Sequence, residues 1–144
     1  MTLYQDEAGI LRQPSQAQAW APVGREQALA HRNSRSETVV ARPAATLDPR
    51  TGRVLADRSS RIRVADLVAC YQQVVASYPQ AKRIYLIQGN WPLHRHPDVL
   101  VALEPQELAF PAYRPANWPS EPHPQAVAPW DDLRLPIQLV PLPT

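Results

Sequence analysis

A change of hydrophobic period at Val64 constrains this 144-residue chain more than any other feature. Val64, Leu67, Val68, Tyr71, Val74, Val75 and Tyr78 recur at helical spacing, while Asp66, Gln72, Gln73 and Ser77 take the opposite face and Pro79 ends the run. Arg83-Ile84-Tyr85-Leu86-Ile87-Gln88 follows at once. It is of strand length, nearly continuously apolar, and has the pattern of a strand buried on both faces of a sheet. A helix that feeds such a strand is the core of an α/β crossover.

The remaining segments fit around that unit. Tyr4 to Ile10 reads as a short strand, and Thr38 to Ala41 with Ala44 to Leu47 reads as another. Asp48-Pro49-Arg50-Thr51-Gly52 is a turn by composition, from which Arg53 to Ala56 returns as the second arm of a hairpin. Pro97 opens a second helix with Val99, Leu100 and Leu103 on its apolar side, ended by Pro105. Leu135 to Val140 is a last strand, with Pro136 tolerable near its start. The order predicts an α/β domain with an antiparallel hairpin joined to parallel crossovers.

Length allows one domain with one core, so residues 1–144 are read as a single unit. Nine of the 17 prolines lie between Pro111 and Pro143, and proline lacks the donor that helices and ladders need. Residues 111–134 are therefore expected to form an irregular arm. One cysteine, Cys70, excludes an internal disulfide framework. No apolar run has the length of a membrane span and no secretory leader follows Met1, so the expectation is a soluble, cytoplasmic protein with no membrane partner. Between Arg12 and Arg63 ten arginines face four acids, and Lys82 is the only lysine in the chain. Guanidinium forks suit phosphate oxygens. Arginine-rich coding and an ordinary solvated face explain the same run, so charge alone leaves nucleic-acid contact open.

In a sheet of this kind reactive groups collect at the carboxyl ends of parallel strands. The first strand carries Asp6 and Glu7, and the apolar strand ends at Gln88-Gly89-Asn90. With those strands adjacent, position 89 stands beside Asp6. Two carboxylates there would hold divalent cations about 3.5–4 Å apart, the clamp used in phosphodiester displacement. Magnesium needs hard oxygen ligands, which glycine cannot supply.

Asp6-Glu7-Ala8-Gly9, Trp20 to Gly24, Leu47 to Val54, Ile84 to His94 and Leu135 to Thr144 together resemble the catalytic domain of bacterial insertion-sequence transposases of the mariner-like superfamily. The resemblance implies a ribonuclease H-like mixed sheet with flanking helices, and a DDE set of two aspartates and a glutamate that binds magnesium and cuts and rejoins DNA. Its first aspartate falls on Asp6. Its second precedes an Asn-Trp-Pro-x-His run, which here is Asn90, Trp91, Pro92 and His94, so it falls on Gly89. Its glutamate lies on a helix expected beyond Thr144, and a helix-turn-helix domain is expected before the first strand. The chain thus resembles the middle of a transposase, with Asp6 as the one matched metal ligand and with catalysis expected to be lost. DNA, in the form of transposon ends, is the implied partner. A non-catalytic remnant that binds DNA or associates with a full-length transposase is the alternative, with self-association as a further partnership.

Two rival motifs remain. His94-Arg95-His96-Pro97-Asp98 has the His-x-His-x-Asp spacing of zinc hydrolases, whose neutral imidazoles suit the metal. Trp91, Tyr113, Trp118 and Trp130 lie among prolines and fit either base stacking or the pinning of an irregular arm onto the core, with packing the favoured reading.

Overall fold

A computed structural model describes residues 1–8, 41–59, 61–107 and 115–142. Trp20 to Gly24, Thr38 to Val40, Tyr113, Thr144 and the arginines from 12 to 35 lie outside the described residues, as does the end of the expected first strand at residues 9–10. Five strands, β1 (Thr2–Glu7), β2 (Arg42–Leu47), β3 (Val54–Ser59), β4 (Ile84–Gln88) and β5 (Ile137–Pro141), form one mixed sheet in the order β3-β2-β1-β4-β5. β2 is antiparallel to both β1 and β3, whereas β4 is parallel to β1 and to β5. This is the order and direction of a ribonuclease H-like sheet, and the α/β expectation holds.

The hairpin turns at Asp48, whose carboxylate accepts the N–H of Arg50 (2.9 Å) and whose carbonyl accepts the N–H of Gly52 (2.8 Å). Gly52 sits at φ 71°, a left-handed conformation in which a Cβ is strained. Helix α1 (Val64–Ser77) starts where the Asp66 carboxylate accepts the N–H of Arg63 (2.8 Å), and stops before Pro79. Its stripe of Leu67, Tyr71 and Val74 is buried against Leu3, Leu55, Ile84, Leu86, Ile137 and Leu139 from the sheet. These side chains form one core with Val99, Leu103 and Leu135.

After β4 the chain makes a 3₁₀ turn (Pro92–Arg95) and then α2 (Pro97–Leu100), which is shorter than the 97–104 helix the prolines suggested. Leu103 then bridges to Leu135, with the Leu135 N–H donating to Ala102 (2.8 Å) and the Glu104 N–H to Leu135 (2.9 Å). The proline-rich excursion therefore leaves and rejoins the core at one place. Its described part, 115–134, contains a single turn of helix α3 (Pro124–Val127) that composition did not predict. Gln106 satisfies the outer edge of β5: its carbonyl accepts the Leu139 N–H (2.6 Å) and its amide donates to the Ile137 carbonyl (3.3 Å). Such a side chain blunts an edge that would otherwise recruit another strand.

One expectation is corrected. β4 is not buried on both faces: Ile84, Leu86 and Gln88 point into the core, but Tyr85 is 43% exposed and Ile87 is partly exposed. The continuous apolar run arises because the outer face carries its own apolar row. Register places Val54, Leu47, Tyr4, Ile87 and Val140 side by side across all five strands. Each is sheltered laterally by its cross-strand neighbours, and four of the five keep more than a third of their surface exposed.

Candidate active site

Strand alternation splits the two acids of β1. Leu3 and Gln5 face the core and are buried, so Thr2, Tyr4 and Asp6 face outward and Glu7 turns back inward. Asp6 is exposed at the carboxyl end of the middle strand, with Oδ1 accepting the N–H of Glu7 (2.9 Å). The parallel register runs from Thr2 opposite Tyr85 to Gln5 opposite Gln88, and continued by one residue past the end of β4 it would bring Gly89 beside Asp6. A Cβ added at Gly89 would meet nothing within 4 Å, and its backbone is not in the left-handed region. Neither space nor conformation therefore demands glycine there. Asn90 is half-buried beside it, its Oδ1 having no protein partner.

His94 is placed differently from a metal ligand. It is fully buried, Nδ1 lies 3.1 Å from the Tyr71 hydroxyl, Nε2 lies 3.1 Å from Glu7 Oε1, and Trp91 packs edge-on at 5.5 Å. Burial pushes the Tyr71 hydroxyl well above its usual range, aided by nearby Cys70 and Glu7, so the phenol keeps its proton. Nδ1 is the hydrogen-bonding partner of that hydroxyl, whereas Nε2 faces Glu7 Oε1 at 3.1 Å without hydrogen-bond geometry. Cys70, against the same core, has its thiol pushed up to about 11, chiefly by burial, and stays protonated.

The His-x-His-x-Asp run is divided between two surroundings. His94 faces β1 and α1, whereas His96 and Asp98 face the arm. Asp98 accepts both the backbone N–H of His123 (2.7 Å) and its ring Nδ1–H (2.9 Å). His96 Nδ1 accepts the Asp98 N–H (3.2 Å), and its ring packs against Trp118 at 4.7 Å. Burial raises the Asp98 carboxyl, but the hydrogen bonds from His123 and the nearby imidazoles outweigh it, so its pKa is lowered. Among the described residues no three His, Cys, Asp or Glu side chains are placed to hold a metal ion. The cluster is a clasp between arm and core, and Trp91 and Trp118 are packing residues.

Sequence reasoning missed the Tyr71–His94–Glu7 chain and the Asp98–His123 clasp. A hydroxyl on the buried stripe of α1, and an acid that alternation turns inward, were the available signals for the first.

The described residues thus form a ribonuclease H-like sheet with an exposed aspartate at the carboxyl end of its middle strand. A family model of DDE superfamily endonucleases matches residues 1–122, and the chain belongs to that family. Comparison with curated proteins and with solved structures gives no match.

Proposed function

We propose that this chain is a catalytically silent transposase domain of the mariner-like, bacterial insertion-sequence type, derived from an enzyme of DNA transposition. Membership of the DDE endonuclease family supports a transposase or endonuclease type of domain and, in general, DNA as substrate and a divalent metal as cofactor. The observation that supports the loss of catalysis is Gly89, the residue that the β1–β4 register, continued by one position, would bring beside Asp6.

Among the described residues, those at the site do not fit a pair of magnesium ions. Two dications held close together repel strongly and need several anionic oxygens between them. Asp6 supplies one carboxylate, already engaged in part by the Glu7 N–H. Glu7 points to the other face toward His94. Asn90 offers a neutral carbonyl. No step of cleavage is therefore routed through a metal here.

What the domain retains is a fold able to contact transposon-end DNA in the cytoplasm, or to associate with itself or with a full-length transposase through the exposed apolar row on the sheet. Plasmid nicking with magnesium or manganese tests the reading, with Asp6→Ala as control. No nicking is expected from the unmodified chain or from Gly89→Asp. Nicking that disappears in Asp6→Ala would overturn it. Electrophoretic binding at low and raised salt tests the residual DNA contact, since phosphate contacts weaken steeply with salt.

A further inference from the structure

The core-facing side of the sheet changes character one residue behind Asp6. Leu3 and Leu86 pair as apolar neighbours, but the next inward row, formed by Thr46, Gln5 and Gln88 on three adjacent strands, is entirely polar and at most 4% exposed. Among the described residues, Gln5 Nε2 and Oε1, Thr46 Oγ1 and Gln88 Oε1 have no hydrogen-bond partner. Nor do Glu7 Oε1, one inward position further along β1, and His94 Nε2, which stands 3.1 Å from it. We propose that this polar row is a binding site for internal water, whose ordered molecules bridge Gln5, Thr46 and Gln88 and reach the facing pair of Glu7 and His94. The inference does not depend on the reading of positions 6 and 89 given above.

Buried polar atoms of folded proteins are nearly all hydrogen-bonded, to protein or to ordered water, because each one left unmet forfeits its hydration. Six such atoms in one small region of the inner face therefore call for a bound species. Its chemistry follows from the mixture of groups. Gln5 Nε2 can only donate, the side-chain oxygens of Gln5, Gln88 and Glu7 can accept, and the Thr46 hydroxyl can do either. A cation would serve the oxygens but repel the amide N–H, and an apolar solute would serve neither. Water both donates and accepts. Small side chains leave it room, since Ala44 pairs with Glu7 across β1 and β2, and Cys70 of α1 stands near Thr46. The Glu7 side chain is 16% exposed, which puts the entrance at the carboxyl end of β1. At roughly three hydrogen bonds for each buried water, the row takes about two molecules.

The test uses the full chain without metal or DNA, with its glutamine side-chain amides labelled for nuclear magnetic resonance. Water-selective Overhauser spectra should connect the Gln5 and Gln88 amide protons to water that tumbles with the protein, which the sign of the signal reports. Thr46→Val removes the one hydroxyl of the row through which exchange could relay that signal, and the signal at Gln5 should persist. Gln5→Met keeps the length of the side chain but neither bonding group, and should cut the signal at Gln88 by half or more. Should Gln5→Met fail to fold, the unmodified chain and Thr46→Val decide between them. No water signal at either glutamine, its disappearance in Thr46→Val, or an unchanged Gln88 signal in folded Gln5→Met would overturn the inference. A specific shift of the Gln5 amide when potassium replaces tetramethylammonium at constant ionic strength would assign the row to a cation and overturn it equally. Because none of these measurements involves nicking, failure of the functional reading and failure of the water site are told apart.

Discussion

Positions 6 and 89 can be tested for adjacency by giving position 89 a charge and measuring what Asp6 does to it. Neighbouring strands lie about 4.8 Å apart, so outward carboxylates at paired positions stand about 5 Å from each other. With Coulomb energy of about 332/(ε·r) and an effective dielectric of about 40–80 at an exposed site, their repulsion is about 1 kcal/mol, within a factor of two. Gly89→Asp alone would hide this, because replacing a glycine outside the left-handed region gains about 0.4–1 kcal/mol through the unfolded chain. Gly89→Asn carries the same gain without the charge. The informative quantity is thus the Asp-minus-Asn difference at 89, measured by urea denaturation at pH 7 with chelator present, in chains with Asp6 and with Asp6→Asn. The expected coupling is about 1 kcal/mol, falling by half or more in 1 M salt as the Debye length contracts to about 3 Å. A coupling of zero, or one indifferent to salt, would mean that the register does not continue to Gly89 and would remove the structural basis for reading that position as a lost ligand.

The remaining predictions concern the arm, the hairpin and the open face. Asp98→Asn should cost about 1–3 kcal/mol at pH 7, since a buried carboxylate loses its charge-assisted bonds to His123. Because the folded pKa of Asp98 lies below its ordinary 3.8, that advantage is full above pH 3.8 and disappears as pH falls through the folded value. His96, lowered mainly by burial, acts in the same direction below its ordinary 6.5, so urea midpoints should drop on acidification; equal Asp98→Asn effects at pH 7 and pH 2 would refute this. Gly52→Ala should destabilise by about 1–2 kcal/mol through its left-handed backbone, read by thermal unfolding. The unmodified chain should scatter light as an associated species at high concentration, and Leu47→Lys with Val54→Lys, which charge the exposed row, should reduce that association. A compact monomer for the unmodified chain would contradict it.

The sheet was legible because its signals are local and periodic. The helical stripe from Val64, the run at Ile84 and the turn at Asp48 each depend on residues a few positions apart, and each element formed within a few residues of where it was expected. Arg83 to Gln88 shows where that reasoning stops: a continuous apolar run marks a strand but does not say whether its second face is covered, and Tyr85 and Ile87 face outward. The His-x-His-x-Asp spacing is uninformative for a related reason. Spacing on a chain that turns through a 3₁₀ segment says little about where rings point, and here His94 and His96 point to different neighbours. The partners of His94, one 87 residues back and the other on a helix, were beyond any local pattern, as was Gln106 at the edge of β5.

The strand order also dictates how the chain must assemble. β1 stands in the middle of the sheet, yet neither of its partners is close in sequence: β2 begins at Arg42 and β4 at Ile84. The hairpin of β2 and β3 can close early, within a span of some twenty residues. α1 with β4 can condense once the helix is made. The slot between β2 and β4, however, is defined only when both are present, so β1 pairs at the cost of closing long loops on each side. During synthesis β1 thus lacks one of its two neighbours, leaving Leu3 and Tyr4 only partly protected, until about eighty further residues have been added. The residue that begins the candidate site, Asp6, has its β2 neighbour Ala45 long before β4 is made, so the two sides of the site are completed at different times.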